Sequence, residues 1–231
     1  SFCVRVLKAE IDKLGYKNNF SIYSSSDSKT LIRNVLREIK INTLNYDENL
    51  FAWYIDKYKN NLIKPNEVEP HDDLEKIAKR VYQVYQNYLK GYNALDFNDL
   101  INLTIDLYIE FPEVLNKYQE RFKYIMIDEY QDTNGVQELI TRLVSQENNR
   151  FMVGDIKQSI YRFRLADPTL FLQKYQTYSR DEQAVERCID LAKNFRSVPL
   201  ILHAVNEVFS RAMTKEAAGM AYGEREKLYD G

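Results

Sequence analysis

Cysteine and histidine are almost missing from this 231-residue chain. Cys3 and Cys188 stand alone with His71 and His203, and no metal-ligand spacing links them. That argues against a zinc or iron–sulfur centre. Two isolated cysteines fit a reducing, intracellular setting. No apolar run approaches the ~20 residues a membrane-spanning helix needs, and no signal peptide is visible, which leaves the cytoplasm as the default compartment. Excess charge of either sign is also missing. The net charge is -2 and the pI ≈ 5.9, so there is no global basic field, and any contact with nucleic acid must come from local patches. Glycine (7) and proline (5) are scarce, so few residues break regular structure.

What is present is ordinary for a globular protein, with 45% hydrophobic and 29% charged residues. The length suits one large domain or two smaller ones. The chain starts at Ser1 in mid-pattern, with Phe2, Val4, Val6 and Leu7 already spaced as a helix. It is therefore expected to be a piece of something longer. The periodicity predicts helices over 2–14 (stopped by Gly15), from the Ser24–Ser28 cap to about Ile39, over 47–63 and over 72–90, ending at Gly91. Residues from about 20 to 91 form a predicted all-helical unit. The aromatics Phe51, Trp53, Tyr54 and Tyr58 suit its core. Lys57, Lys59 and Lys64 read as a solvated charge run, with contact to duplex DNA as the alternative.

The second half changes character. Asp96-Phe97-Asn98-Asp99-Leu100 reads as a helix cap, and Pro112 opens another helix. Three short apolar runs follow, at 123–127, 150–153 and 188–192, with helical segments between them. This alternation predicts a parallel sheet. Each run ends in a polar motif, the position where such sheets bind ligands. After the first run, Asp128-Glu129 reads either as a Mg²⁺-coordinating, water-activating pair or as a plain helix N-cap. The extended Asp128-Glu129-Tyr130-Gln131-Asp132-Thr133-Asn134 favours the first reading. After the second run comes 153–164, Val-Gly-Asp-Ile-Lys-Gln-Ser-Ile-Tyr-Arg-Phe-Arg. After the third comes Asn194-Phe195-Arg196-Ser197.

In this order the three segments resemble motifs II, III and IV of the UvrD/PcrA/Rep group of superfamily 1 DNA helicases. The element at 96–100 resembles that group's Asp-Phe-x-Asp-Leu, and Ser1-Phe2 the end of its Thr-x-His-Ser-Phe motif. Residues 156–168 with Phe171 look most like the AddA branch, the helicase-nuclease component of bacterial double-strand-break repair. The plainer repair helicases usually carry acidic residues at positions 156 and 157, Trp at 163 and Gly at 165.

The resemblance implies a partial RecA-like α/β core of the P-loop NTPase class with a helical 1B-type insert. It divides the chain into 1–19 and 92–192 (domain 1A), 20–91 (the insert) and 193–231 (the start of domain 2A). It implies ATP and Mg²⁺ as cofactors, with Asp128 and Glu129 as the metal and water residues. Gln158 would sense the γ-phosphate, Arg196 would act as an arginine finger, and Phe195 would lie against adenine. Tyr161 and Phe163 would stack single-stranded bases, with Arg162 and Arg164 on phosphates; core packing is the plainer reading of those two aromatics. Asp96 and Asp99 would hold the insert to the core. The implied activity is 3′→5′ unwinding of duplex DNA in the bacterial cytoplasm, with an AddB-type partner and an exonuclease elsewhere. A stand-alone PcrA/Rep-like repair helicase and a non-catalytic DNA-binding module are the alternatives. No Gly-x-x-x-x-Gly-Lys-Thr/Ser phosphate loop occurs in these residues. In the resembled group it lies before the position of Ser1, so the fragment alone is expected to hydrolyse ATP negligibly.

Overall fold

Side-chain caps set where several of the helices begin, in a computed structural model that describes residues 2–41, 46–159, 166–218 and 220–231. Helix α1 (Phe2–Glu10) tightens into a 3-10 turn, Ile11–Leu14, and stops at Gly15. Gly15 has φ 78, a left-handed conformation that a side chain would resist. Helix α2 (Ser25–Glu38) starts from a capping box formed by Ser24 and Asp27. Asp47 and Asp72 cap α3 (Glu48–Asn60) and α4 (Asp73–Gly91) by accepting the N–H of Leu50 and Glu75. The chain divides into two compact units, Ser1–Gln173 and Lys174–Gly231.

Helices α2, α3 and α4 close on a hydrophobic cluster of their own, built from Leu31, Ile32, Val35 and Leu36 of α2, Phe51 and Ile55 of α3, and Val81, Tyr85 and Leu89 of α4. Tyr58 and Tyr82 stack within it at 5.9 Å. The Phe51–Tyr58 aromatics thus serve a bundle core, as expected, with the exception of Trp53, which is 53% exposed. The segment expected to be all-helical, from about 20 to 91, also holds a short strand. The segment's entry and exit are joined by a parallel pair, β1 (Ser21–Ile22) beside β2 (Ala94–Leu95). Two-residue strands leave no periodicity to read in a sequence.

A separate cluster joins α1 to α5 (Phe97–Glu110), α6 (Pro112–Arg121) and α7 (Gly135–Val144) through Val6, Ile105, Tyr108, Tyr118, Val136 and Ile140. Ile125 of β3 (Ile125–Ile127) packs against it. Strand β3 pairs in parallel with β4 (Arg150–Met152). These two strands are the first two predicted apolar runs. Helix α8 (Pro168–Thr177) follows β4.

The third run does not form the predicted strand. Residues 188–192 are irregular, and the strand lies just beyond them. It is β5 (Lys193–Asn194), paired in parallel with β6 (Tyr229–Asp230) within the second unit. The reason lies in the backbone partners: Cys188 N–H donates to Ser179 O at 2.7 Å, whereas Ala192 O accepts from Tyr229 N–H at 2.9 Å. The segment changes partner midway, and no continuous ladder spans it. Ile189 and Leu191 are exposed. Helix α9 (Pro199–Ala212) follows, and Asn206 on it clamps the later chain by bonding both the N–H and the C=O of Leu228.

Lys59 corrects the reading of the lysine run as solvated or DNA-facing. It is 1% exposed, and its ammonium donates to Asp96 Oδ2 at 2.6 Å and Asp99 Oδ1 at 2.7 Å. Asp96 also caps α5 and forms a capping box with Asp99. Tyr85 OH donates to Asp96 at 3.0 Å and Gln86 Nε2 to Asp99 at 3.1 Å. The element at 96–100 therefore ties α3 and α4 to the start of α5, through a lysine that the sequence pattern does not single out. The other two lysines differ from it. Lys57 stands over the Trp53 ring at 5.4 Å, and Lys64 pairs with Asp106 at 3.0 Å.

One buried cation shared by two carboxylates splits their protonation. Burial opposes charge on Asp96, but Lys59 outweighs it and holds that carboxyl below its usual range. Burial together with the Asp96 charge outweighs Lys59 at Asp99, which is pushed up to about 6. Lys59 itself would be lowered by burial, yet the two carboxylates raise it.

An acid whose folded pKa exceeds its unfolded value binds more protons when folded. Stability linked to Asp99 is therefore lost as pH rises from about 4 to about 6. Over that window the wild type should lose on the order of 1–3 kcal/mol relative to Asp99→Asn in urea unfolding. Parallel curves for the two proteins contradict this assignment. Lys59→Met should cost roughly 3–5 kcal/mol at neutral pH, because it strands two buried carboxylates.

Candidate functional site

Strand β3 ends at Ile127, and the chain turns at once into Asp128 and Glu129, both exposed. Glu129 lies in the left-handed region at φ 52, ψ 42. For a residue with a Cβ this conformation costs on the order of 1 kcal/mol, and the surrounding structure has to enforce it. The enforcement is visible. Val153 N–H donates to Ile127 O, and Tyr130 N–H donates back to Val153 O, each at 2.8 Å. These bonds carry the β3–β4 ladder past the ends of the strands and fix both ends of the turn. Asp128 Oδ1 accepts the Glu129 N–H at 3.0 Å.

Gln131 organises the interior of the site. It is 1% exposed. Its Nε2 donates to Glu129 Oε2 at 2.6 Å, and its Oε1 accepts the Asp155 N–H at 3.0 Å. One amide thus aims the glutamate and anchors the loop that follows β4. Asp155 in turn accepts from Gln158 Nε2 at 3.2 Å and pairs with Lys157 at 2.9 Å. Asp128, Glu129 and Gln158, three of the predicted residues, therefore share one site at two adjacent strand ends. Gly154 explains how the loops fit so closely. A Cβ there would lie 2.5 Å from Gln131 Oε1 and 3.2 Å from Gln131 N.

The base of the loop is buried. Tyr130 is inaccessible, with its hydroxyl donating to Glu138 at 2.7 Å and its ring edge-on to Phe171 at 6.0 Å. Arg150 adds a second contact to Glu138 at 3.2 Å. A plain helix cap does not describe the acid pair, because the α7 cap is Asn134, which accepts from Gln137 N–H at 2.9 Å.

In the second unit, Asn194 Oδ1 accepts the N–H of both Arg196 and Ser197 at 2.9 Å. This Asx-type turn presents Phe195, 80% exposed, and an exposed Arg196. Tyr161, Arg162, Phe163 and Arg164 lie outside the described residues. Among the described residues no group of three or more His, Cys, Asp or Glu could hold a metal. Two exposed carboxylates side by side suit Mg²⁺ all the same, since that ion keeps most of its waters and takes one or two carboxylates alongside substrate phosphates. No helix among the described residues is long and apolar enough to cross a membrane.

The site belongs to an α/β protein that gathers polar side chains beyond the carboxyl ends of parallel strands. Residues 1–179 match the UvrD/REP helicase N-terminal domain, and the chain belongs to that family. It is 38% identical over 225 residues, 95% of its length, to an ATP-dependent helicase/nuclease subunit of Alkaliphilus oremlandii. It is 45% identical over 158 residues, 68% of its length, to the protein of the same name from Syntrophomonas wolfei. It is also 38% identical over 223 residues, 95% of its length, to the ATP-dependent DNA helicase PcrA of Staphylococcus aureus. The chain spans 18%, 13% and 30% of those three relatives.

Gln131, Gly154 and Asp155 all lie in the sequence motifs, yet the motifs do not mark them out as individuals. The usable signal is a glycine directly after an apolar run, where only a close backbone approach explains the missing side chain. Gly154→Ala should push Gln131 aside and release Glu129, at about 1–2 kcal/mol in denaturant unfolding. In a Gln131→Ala background the same substitution should cost less than half as much. Equal costs in both backgrounds show that Gln131 is not what Gly154 makes room for.

Proposed function

We propose that this chain is a part of an ATP-dependent DNA helicase that contributes one portion of the Mg²⁺–ATP site and one portion of the single-stranded DNA track. The observation that carries the reading is the exposed Asp128-Glu129 pair at the tip of β3, with Glu129 aimed by Gln131. Asp128 would hold the metal ion, as the residue that leads the turn. Bound Mg²⁺ supplies charge neutralisation on the phosphates. Glu129 accepts the proton of the attacking water. Its Oε2 is occupied by the Gln131 amide at 2.6 Å, which leaves Oε1 for that task. Gln158 is exposed and tethered to Asp155, so its amide can exchange that bond for a phosphate oxygen. Arg196 supplies a permanent planar cation for transition-state charge, and Phe195 an apolar face for the adenine ring.

The relatives' names support this assignment, and their family supports a role in DNA repair. We read 1–19 and 92–192 as domain 1A, 20–91 as a 1B-type insert and 193–231 as the start of domain 2A. Tyr161 and Phe163 are the proposed base-stacking residues, with Arg162 and Arg164 on phosphates, and translocation runs 3′→5′. The helicase/nuclease name of the Alkaliphilus relative supports double-strand-break repair with an AddB-type partner and an exonuclease in the same assembly. A stand-alone helicase is the second reading, favoured by the 38% identity to PcrA across 95% of the chain. Nuclease activity in the protein that carries this chain separates the two.

Glu129→Gln in that protein should cut ATP turnover by roughly 10²–10⁴-fold and leave ATP binding within about threefold. Unchanged turnover removes Glu129 from the reaction. Loss of binding as well as turnover assigns it to holding the metal. Tyr161→Ala with Phe163→Ala should weaken single-stranded DNA binding by about 2 kcal/mol or more, and an unchanged affinity contradicts the stacking assignment.

A further inference from the structure

The insert has its own hydrophobic cluster, and several of its hydrogen-bonded and charged contacts with the core come from the last turns of α3, beside those of Tyr85, Gln86 and Lys64. Asp56 accepts from Asn98 Nδ2 at 2.8 Å, Lys59 pairs with Asp96 and Asp99, and Lys59 O accepts from Asn102 Nδ2 at 2.9 Å. These three contacts end on α5 or its cap. The contact made by the next residue ends elsewhere. Asn134 Nδ2 donates to Asn60 Oδ1 at 2.9 Å. Asn134 is the last residue of the segment that starts at Asp128, and it caps α7.

Both amides are oriented without ambiguity. Asn60 Nδ2 donates to Asp56 O at 2.8 Å, one turn back, so its Oδ1 must face Asn134. Asn134 Oδ1 accepts the Gln137 N–H at 2.9 Å, so only its Nδ2 is left to face Asn60. Both side chains are partly buried, where a misoriented amide would set two acceptors against each other. The contact spans 74 residues of sequence. From Asn134 the path to the acid pair is short. Thr133 and Asp132 close their turns on Tyr130 O and Glu129 O at 3.1 and 2.9 Å.

We propose that Asn60 is a positioning residue for the acidic loop. Through the Asn134 amide it couples the stance of the helical insert to the placement of Glu129. The inference rests on the assignment of Glu129 given under Proposed function. Its consequence is that a load on the insert, such as DNA held against it, reaches the hydrolytic residues through one amide pair.

Three substitutions separate coupling from damage. Asn60→Ala removes the acceptor. Asn134→Asp keeps the helix cap and removes the donor. Asn60→Asp keeps the acceptor. In hydrogen–deuterium exchange on this chain, Asn60→Ala and Asn134→Asp should each speed exchange over 128–140 by about fivefold, the factor one net hydrogen bond is worth. Exchange in α5 should be unaffected, and Asn60→Asp should resemble the wild type. No change in either disruptive variant overturns the proposal. Faster exchange in all three assigns the effect to damage in α3 and overturns it too.

In the protein that carries this chain, DNA-stimulated ATP hydrolysis should show a kcat reduced about fivefold in Asn60→Ala, with KM for ATP within about twofold and kcat restored in Asn60→Asp. An unchanged kcat, or a KM that rises with it, rejects the positioning role. If the wild type hydrolyses no ATP, the functional reading fails, whereas the exchange result still decides the coupling.

Discussion

The packing of α3 and α4 against the start of α5 depends on where the Lys59 ammonium sits. It is a charge removed from water and shared by Asp96 and Asp99, which begin the helix that supports α1, α6 and α7. Removing Lys59 would leave two buried carboxylates without their cation, so the cluster favours the one arrangement of α3 and α4 against the start of α5 that keeps all three groups together. Apolar packing alone would not be as selective, because helices α2–α4 and helices α1, α5, α6 and α7 fill separate hydrophobic clusters. Ala94 lies in the first of these, and Leu95 beside it in a third cluster with α1.

The acidic loop takes its geometry from the strand ends. The ladder of β3 and β4 supplies two parallel tips, and hydrogen bonds beyond the last ladder pair hold Asp128 to Tyr130 in a turn that a free chain would avoid. Gln131 then commits both ends of its amide, one to Glu129 and one to the Asp155 backbone. The result is a rigid base beneath two exposed carboxylates. Preorganisation of this kind is what a hydrolytic site needs, since groups held in place beforehand need not be ordered during the reaction.

Much of this is legible in the sequence, and the reason differs by element. The helices are visible through their caps: Ser24, Asp47, Asp72 and Asp96 each mark the residue before a helix. Strands β3 and β4 are visible as short apolar runs ending in polar motifs. The run at 188–192 looks the same but fails, since a strand is made by its partner and none spans that segment. The pair β1–β2 cannot be seen at two residues each. Lys59 escapes the sequence because a lysine among lysines gives no local sign of burial. Its two carboxylates lie 37 and 40 residues away. For Asp128, Glu129 and Gln158, their meeting at one site follows from motif order. The Gln131 bridge between them is a tertiary contact that no spacing rule reports.

The decisive question for the acid pair is where a nucleotide-bound metal comes to rest. Nuclear magnetic resonance spectra recorded while Mn²⁺ and a non-hydrolysable ATP analogue are titrated in would locate it by paramagnetic broadening. If Asp128 holds the ion, the amides of 128–131 and 154–158 broaden first, and Asp128→Asn removes the effect. Broadening that starts elsewhere, or that survives Asp128→Asn unchanged, would contradict the assignment of a nucleotide site to these strand ends.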